Sequence, residues 1–200
     1  VNGYSDIILY DKPVAFFRFE ETSGSVATNS VPGGLNGAYY VGDEAKPGDG
    51  GSPSNAQGAT GPRPPDFMGF AADNKSATFG GSATQDWVDA KKQYLQHLGA
   101  FSLEYWVKPS IRVSDPATFS TRIGIVGQND ACEYGFIDQN NIQIWTPGGS
   151  LNTAYTFPDN EWHHVATIAD GSTIKTYYDG VEVGSAAAVS SDYGSSTYNV

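Results

Sequence analysis

The residues of this chain with the chemistry for catalysis are few and thinly spread. Three histidines, His97, His163 and His164, and one cysteine, Cys132, are its bases and nucleophiles near neutral pH. His163 and His164 are neighbours. In an extended strand adjacent side chains point to opposite faces, so the two cannot converge on one substrate, and packing is their default role. Cys132 has no histidine at a spacing that would activate it, and no G-x-S-x-G elbow is present. It reads as a small buried or half-buried residue, and a single thiol excludes an internal disulfide. Glycoside hydrolysis needs two carboxylates on one surface, about 5 to 9.5 Å apart. Glu104 stands alone in FSLEYWVK, Glu133 and Asp138 are five apart and so fall on opposite faces of a regular strand, and Glu20 and Glu21 are adjacent. The sequence reads as that of a protein that is not an enzyme.

Binding chemistry is better represented. Sugar recognition uses an aromatic platform with planar polar groups beside it. Trp145 and Tyr155 flank the run TPGGSLN, with Asp138, Gln139 and Asn141 just upstream. These five are the candidate ligand-binding residues, and the reading requires both rings to be exposed. Trp106 lies on the more polar face of its strand, and Trp162 is assigned to the core. Calcium takes six to eight oxygen ligands. Asp130 and Glu133 in GQNDACEYGF are the candidate metal ligands, with Asp138, Asn140 and Asn141, or Asp86 and Asp89, as alternatives. The competing role of such Asp and Asn runs is turn formation.

The elements that must position these residues have period two. In FSLEYWVK, residues Phe101, Leu103, Tyr105 and Val107 share one face, and Pro109 ends the strand. PVAFFRFE, from Pro13 to Glu20, alternates in the same way. From Trp162 the chain reads WHHVATIA, Asp170-Gly171, STIKTYY, Asp179-Gly180, VEVG. Asp-Gly supplies the positive φ angles of a tight hairpin, so two such turns predict a three-stranded meander. Further strands are expected at Ser76 to Phe79, Gly124 to Gly127, Tyr134 to Asp138, Ile142 to Trp145 and Asn152 to Thr156. Lys91 to Leu98 is expected to form at most one short turn or helix. Residues 42–69 carry PGDGGSPSNAQGATGPRPP without periodicity and read as a long Gly/Pro surface loop. The 200 residues are read as a single all-β domain, a two-sheet antiparallel sandwich.

Composition narrows the partners. Eleven basic residues scattered among 22 acidic ones, for a net charge of −11, exclude a phosphate-tracking surface and so nucleic acid. No apolar run approaches the roughly 18 residues of a membrane-spanning helix, so membrane insertion is not expected.

Three phrases, in order along the chain, resemble the laminin-G-like jelly-roll family of the concanavalin A-like lectin/glucanase superfamily. They are YDKPVAFFRFEETSGSVATNSVPGGLNGAYY (10–40), FSLEYWVKPS (101–110) and EWHHVATIADGSTIKTYYDGVEVGS (161–185). The resemblance implies a concanavalin A-like jelly roll of two curved antiparallel sheets, and calcium at a sandwich rim in some members. It does not imply one activity, since fold and function separate. The paired-carboxylate strand of the family's glycosidases is absent. Gly80 stands where the family usually has Asp, and the chain ends at STYNV before a closing strand of the type G-x-I-D-E-V-x-I-Y. A longer polypeptide or a partner is expected to supply that strand.

Two functions follow as expectations. The first is a non-catalytic carbohydrate- or glycoprotein-binding adhesion module, placed outside the cell, at the cell surface or on a virion. The alternative is a structural or assembly subunit, such as a virion decoration or surface-layer component, whose partners are other subunits. A glycosidase ranks third.

Overall fold

The computed structural model describes residues 3–41, 56–80, 86–110 and 123–200. Its contacts divide the chain into two compact units, Val1–Tyr94 and Leu95–Val200.

The first unit holds the helix α1 (Tyr4–Tyr10) and strands β1 (Val26–Ala27), β2 (Gly37–Val41), β3 (Ala59–Thr60), β4 (Lys75–Ser76) and β5 (Asp86–Asp89). Strands β1, β2 and β5 form one antiparallel sheet, and β3 pairs with β4. α1 was not legible in the sequence. It starts where the Gly3 N–H donates to Asp6 Oδ2 at 3.0 Å. The expected strand over Pro13–Glu20 is reduced to one bridge, Phe17 to Asn29. Phe19 takes a positive φ of 55°, which interrupts extended backbone, and the Phe16 N–H is taken by the Asn29 side chain at 3.1 Å. The strand expected at Ser76–Phe79 is also shorter, ending at Ser76. Of the loop 42–69, residues 42–55 lie outside the described residues, and its later part supplies β3.

The second unit holds β6 (Phe101–Val107), β7 (Ile123–Gln128), β8 (Cys132–Phe136), β9 (Asn141–Thr146), β10 (Gly149–Ala154), β11 (His163–Ala169), β12 (Thr173–Tyr178) and β13 (Val181–Ala187). They make two four-stranded antiparallel sheets, ordered β10-β9-β8-β7 and β13-β12-β11-β6. The alternation read in the sequence is what packs them. Tyr134, Phe136, Ile142, Ile144 and Leu151 from one sheet face Val165, Ala169, Ile174 and Tyr178 from the other, and all are buried. Tyr105 meets Tyr134 edge-on at 5.4 Å across the layer. Buried hydroxyls also cross it: Thr167 donates to the Tyr134 hydroxyl at 2.8 Å, and Thr153 pairs with the Tyr178 hydroxyl at 2.6 Å. Such groups are tolerated in a core because each has a partner.

The meander β11-β12-β13 forms as expected, but its two turns differ. Asp179 and Gly180 both have positive φ, 49° and 83°. At the first turn only Gly171 does, at 88°, and the Asp170 carboxylate instead accepts the N–H groups of Ser172 and Thr173 at 2.8 and 2.7 Å. No helix forms over Lys91–Leu98, where Lys91 and His97 have φ values of 59° and 54°. Residues 188–200 are not a strand. Tyr193 plugs the core from that tail: it is buried, meets Phe101 edge-on at 5.4 Å, donates to Ala188 O and accepts the Gly171 N–H.

Candidate functional site

Register decides which side chains of β7–β10 share the outward face. Glu133 pairs with Gly127 and with Trp145, and Trp145 pairs with Ser150. One step along, Gly135 pairs with Gly124 and Gln143, and Gln143 with Asn152. Two adjacent rows therefore cross four strands: Gly127, Glu133, Trp145, Ser150, and Gly124, Gly135, Gln143, Asn152. Half-buried Trp145 rises from a floor that is bare on the β7–β8 side. That bareness is structural: a Cβ on Gly135 would sit 2.1 Å from the Ile123 carbonyl, and one on Gly127 2.6 Å from that of Cys132.

Polar groups beside the ring are held in place. The Gln143 amide donates to Asn152 Oδ1 at 2.8 Å. Glu133 Oε1 accepts the Asp130 N–H at 3.0 Å, fixing the β7–β8 turn, where Asp130 has φ 63°. The face thus offers a flat ring, a carboxylate and two ordered amides, which suits the apolar face and hydroxyl edge of a pyranose.

The expected cluster assembles only in part. Tyr155 is 5% exposed and packs against Phe136 and Phe157 at 5.0 and 4.9 Å, so it is a core ring and not a platform. The physical reason is the tight turn Pro147-Gly148: the rest of TPGGSLN is strand, not rim loop, and β10 carries Tyr155 to the far end of the hairpin and to the inner face. Asp138 and Asn141 do meet, with the Asn141 amide donating to both carboxylate oxygens at 2.9 and 2.8 Å. Asn141 lies on the outward face but four residues from Trp145, about 13 Å at about 3.3 Å per residue. Asp138 also accepts the Asn140 N–H at 2.7 Å, the geometry of a turn former, and Gln139 is exposed at the tip of that turn. Among the described residues no group of three or more His, Cys, Asp or Glu side chains comes together as a metal cluster.

Sequence reasoning missed Glu133 as a neighbour of Trp145, along with Gln143 and Asn152. The signal was strand pairing across turns, which periodicity alone does not reveal. Trp162, expected in the core, is half-buried. Cys132 is buried, and burial first, with the Glu133 charge second, pushes its thiol up to about 12. His163 and His164 do point apart. His163 stacks on Phe157 at 3.9 Å with Nδ1 2.8 Å from Asp179 Oδ2, whereas His164 faces outward against Trp106 at 5.3 Å.

Residues 80–200, more than half of the chain, match the profile of a laminin-G family described as belonging to the concanavalin A-like lectin/glucanases superfamily. The chain belongs to this superfamily. The two four-stranded antiparallel sheets of residues 95–200 are this superfamily's jelly-roll sandwich, as the sequence led one to expect. Among solved structures, this superfamily member is similar to one titled a "putative carbohydrate binding protein" from Bacteroides ovatus, at 10% identity and TM-score 0.42, over 60% of this chain and 40% of that one. It is also similar to the binding domain of Paraclostridial Mosquitocidal Protein 1, at 12% identity and TM-score 0.45, over 62% of this chain and 34% of that one. The chain spans less than half the length of either. No curated protein matches the sequence. No helix among the described residues is long and apolar enough to cross a membrane.

Proposed function

We propose that this chain is a non-catalytic carbohydrate-binding module of an extracellular, cell-surface or virion assembly, and that it binds neutral glycan on the outward face of β7–β10. The observation that carries the reading is the row Glu133–Trp145–Ser150 beside Gln143–Asn152, over the bare glycines 127 and 135. Trp145 stacks on the apolar face of a sugar ring, and Glu133, Gln143 and Asn152 take its hydroxyls. Because the floor is strand rather than loop, the groups are ordered before the ligand arrives, which lowers the entropic cost of binding. The superfamily is consistent with it. Asp130 and Glu133 are where a rim calcium would be sought, by comparing melting temperatures with and without the ion.

A printed array of neutral and acidic glycans tests the reading. Binding to neutral glycans that Trp145→Ala weakens, at an unchanged circular dichroism spectrum, is the expected result. An array on which the native protein binds nothing would overturn it.

One observation favours the assembly alternative. Among the described residues β13 lies at the end of its sheet, with Val181 and Val183 at 66% and 40% exposure. A second chain adding a strand there would cover them.

A further inference from the structure

The opposite outward face of the same sandwich carries a second aromatic and carboxylate constellation. In the sheet β13-β12-β11-β6, register places Trp106 beside His164, and Glu104 beside Ala166. Ala166 in turn pairs with Tyr177, and Tyr177 with Glu182. The Trp106 and His164 rings lie 5.3 Å apart at 46°. Glu104 Oε2 approaches His164 Nε2 to 3.4 Å without forming a hydrogen bond, and the Glu104 side chain is 42% exposed. Lys175 and Glu182 neutralise each other at 3.2 Å. The small residue Ala166 stands between Glu104 and Tyr177 in its row, and the Trp106–His164 pair occupies the next row.

We propose that this patch is a second binding site for a neutral pyranose, and that the module therefore holds two glycans on opposite faces and cross-links them. The inference rests on the reading of the first face as a glycan site. The ligand class follows from the groups present. Rings on two sides suit an apolar sugar face, and the accessible carboxylate suits a pair of vicinal hydroxyls. The same carboxylate, on a chain of net charge −11, repels an anionic ligand. A protein partner fits less well, because interface cores are apolar and wide, whereas this face carries the charged Glu104, Lys175 and Glu182. The two faces cannot serve one ligand: the inner sides of the sheets are packed against each other, with layers about 10 Å apart.

The test is calorimetric titration of the full chain with cellohexaose, mannohexaose and xylohexaose, alongside agglutination of beads coated with the hexaose that binds. The expected result is two ligands per chain, falling to one in Trp106→Ala and likewise in Trp145→Ala, with monomeric native protein agglutinating beads and neither variant doing so. Glu104→Ala, at an exposed position, provides the same readout should Trp106→Ala not fold, and should weaken the second site at least tenfold. One ligand per chain, lost in Trp145→Ala and untouched by Glu104→Ala, would overturn the second site and leave the first standing. Self-association of the chain that Glu104→Ala abolishes would assign the face to a protein contact and overturn it too. No heat with any hexaose would remove the first reading along with the second.

Discussion

Trp145 stands directly across the β8–β9 pair from Glu133, whose carboxylate also ties down the preceding turn through the Asp130 N–H at 3.0 Å. One side chain thus joins the ring to the backbone that supports it. Glu133→Gln keeps an oxygen to accept that N–H but removes the charge. Hydrogen bonds to a neutral acceptor are about half as strong as those to a charged one, so glycan affinity should fall about three- to tenfold. Stability should change by no more than about 0.5 kcal/mol, as for other surface substitutions. Titration calorimetry and urea unfolding of the same variant separate the two effects; an unfolding midpoint that falls with the affinity would mean that Glu133 acts through the turn.

Asp179 bridges two histidines that face opposite ways. It accepts the His164 backbone N–H at 2.9 Å through Oδ1 and meets His163 Nδ1 at 2.8 Å through Oδ2, from a backbone with φ 49°. Asp179→Ala loses both bonds and puts a β-carbon residue without a local hydrogen bond in the left-handed region. Its side chain is 46% exposed, so the loss should be near the lower end for such bonds, about 1 kcal/mol. Asp179→Asn retains an acceptor and tolerates that φ, and should cost less than half as much. Equal losses in the two variants would show that turn geometry is not the cause.

Cys132 should be chemically silent in the folded protein. Its raised thiol pKa keeps the nucleophilic thiolate scarce, and burial blocks reagent access. A disulfide reagent at pH 8 should label no thiol in native buffer and one per chain in guanidinium. Because the folded pKa is raised, the thiol's contribution to stability is complete below the ordinary thiol range and is lost as pH rises through it toward about 12. Fast labelling of native protein would contradict the packing of β8.

Acid should loosen the turns before the core. Two N–H donors, from Thr173 first and then Ser172, hold the Asp170 carboxyl below its usual value. At Asp138 slight burial opposes the shift, but the Asn140 N–H and the Asn141 amide win. His97 lowers Asp192 in the same direction. Depressed folded values mean stability that is present above the ordinary carboxylate range and lost as pH falls through the folded values, so the window lies below about pH 4. Melting temperature followed from pH 6 to pH 2.5 should fall most steeply there, and Asp170→Asn should flatten the fall. A profile that is level below pH 4 would contradict this account.

The sandwich was legible because its strands bury alternate residues, and FSLEYWVK and WHHVATIA display that period without interruption. The failures have local causes. Phe19 and Lys91 adopt positive φ, a choice made by surrounding contacts rather than by residue type. TPGGSLN has the composition of a loop, which puts Tyr155 at the surface, whereas Pro147-Gly148 suffices for the turn and the remainder continues as β10. Trp145 was found from its type, but its working neighbours come from β8 and β10, and only register brings them to it.

Titration calorimetry of native protein and Trp145→Ala with the hexaose that binds best, with Tyr155→Phe as a core control, decides whether the β7–β10 face holds glycan. Trp145→Ala should weaken binding at the β7–β10 face at least tenfold with the melting temperature nearly unchanged, while Tyr155→Phe should bind as the native chain does. Native affinity with no loss of bound ligand in Trp145→Ala, with the fold intact, would contradict a glycan site on that face.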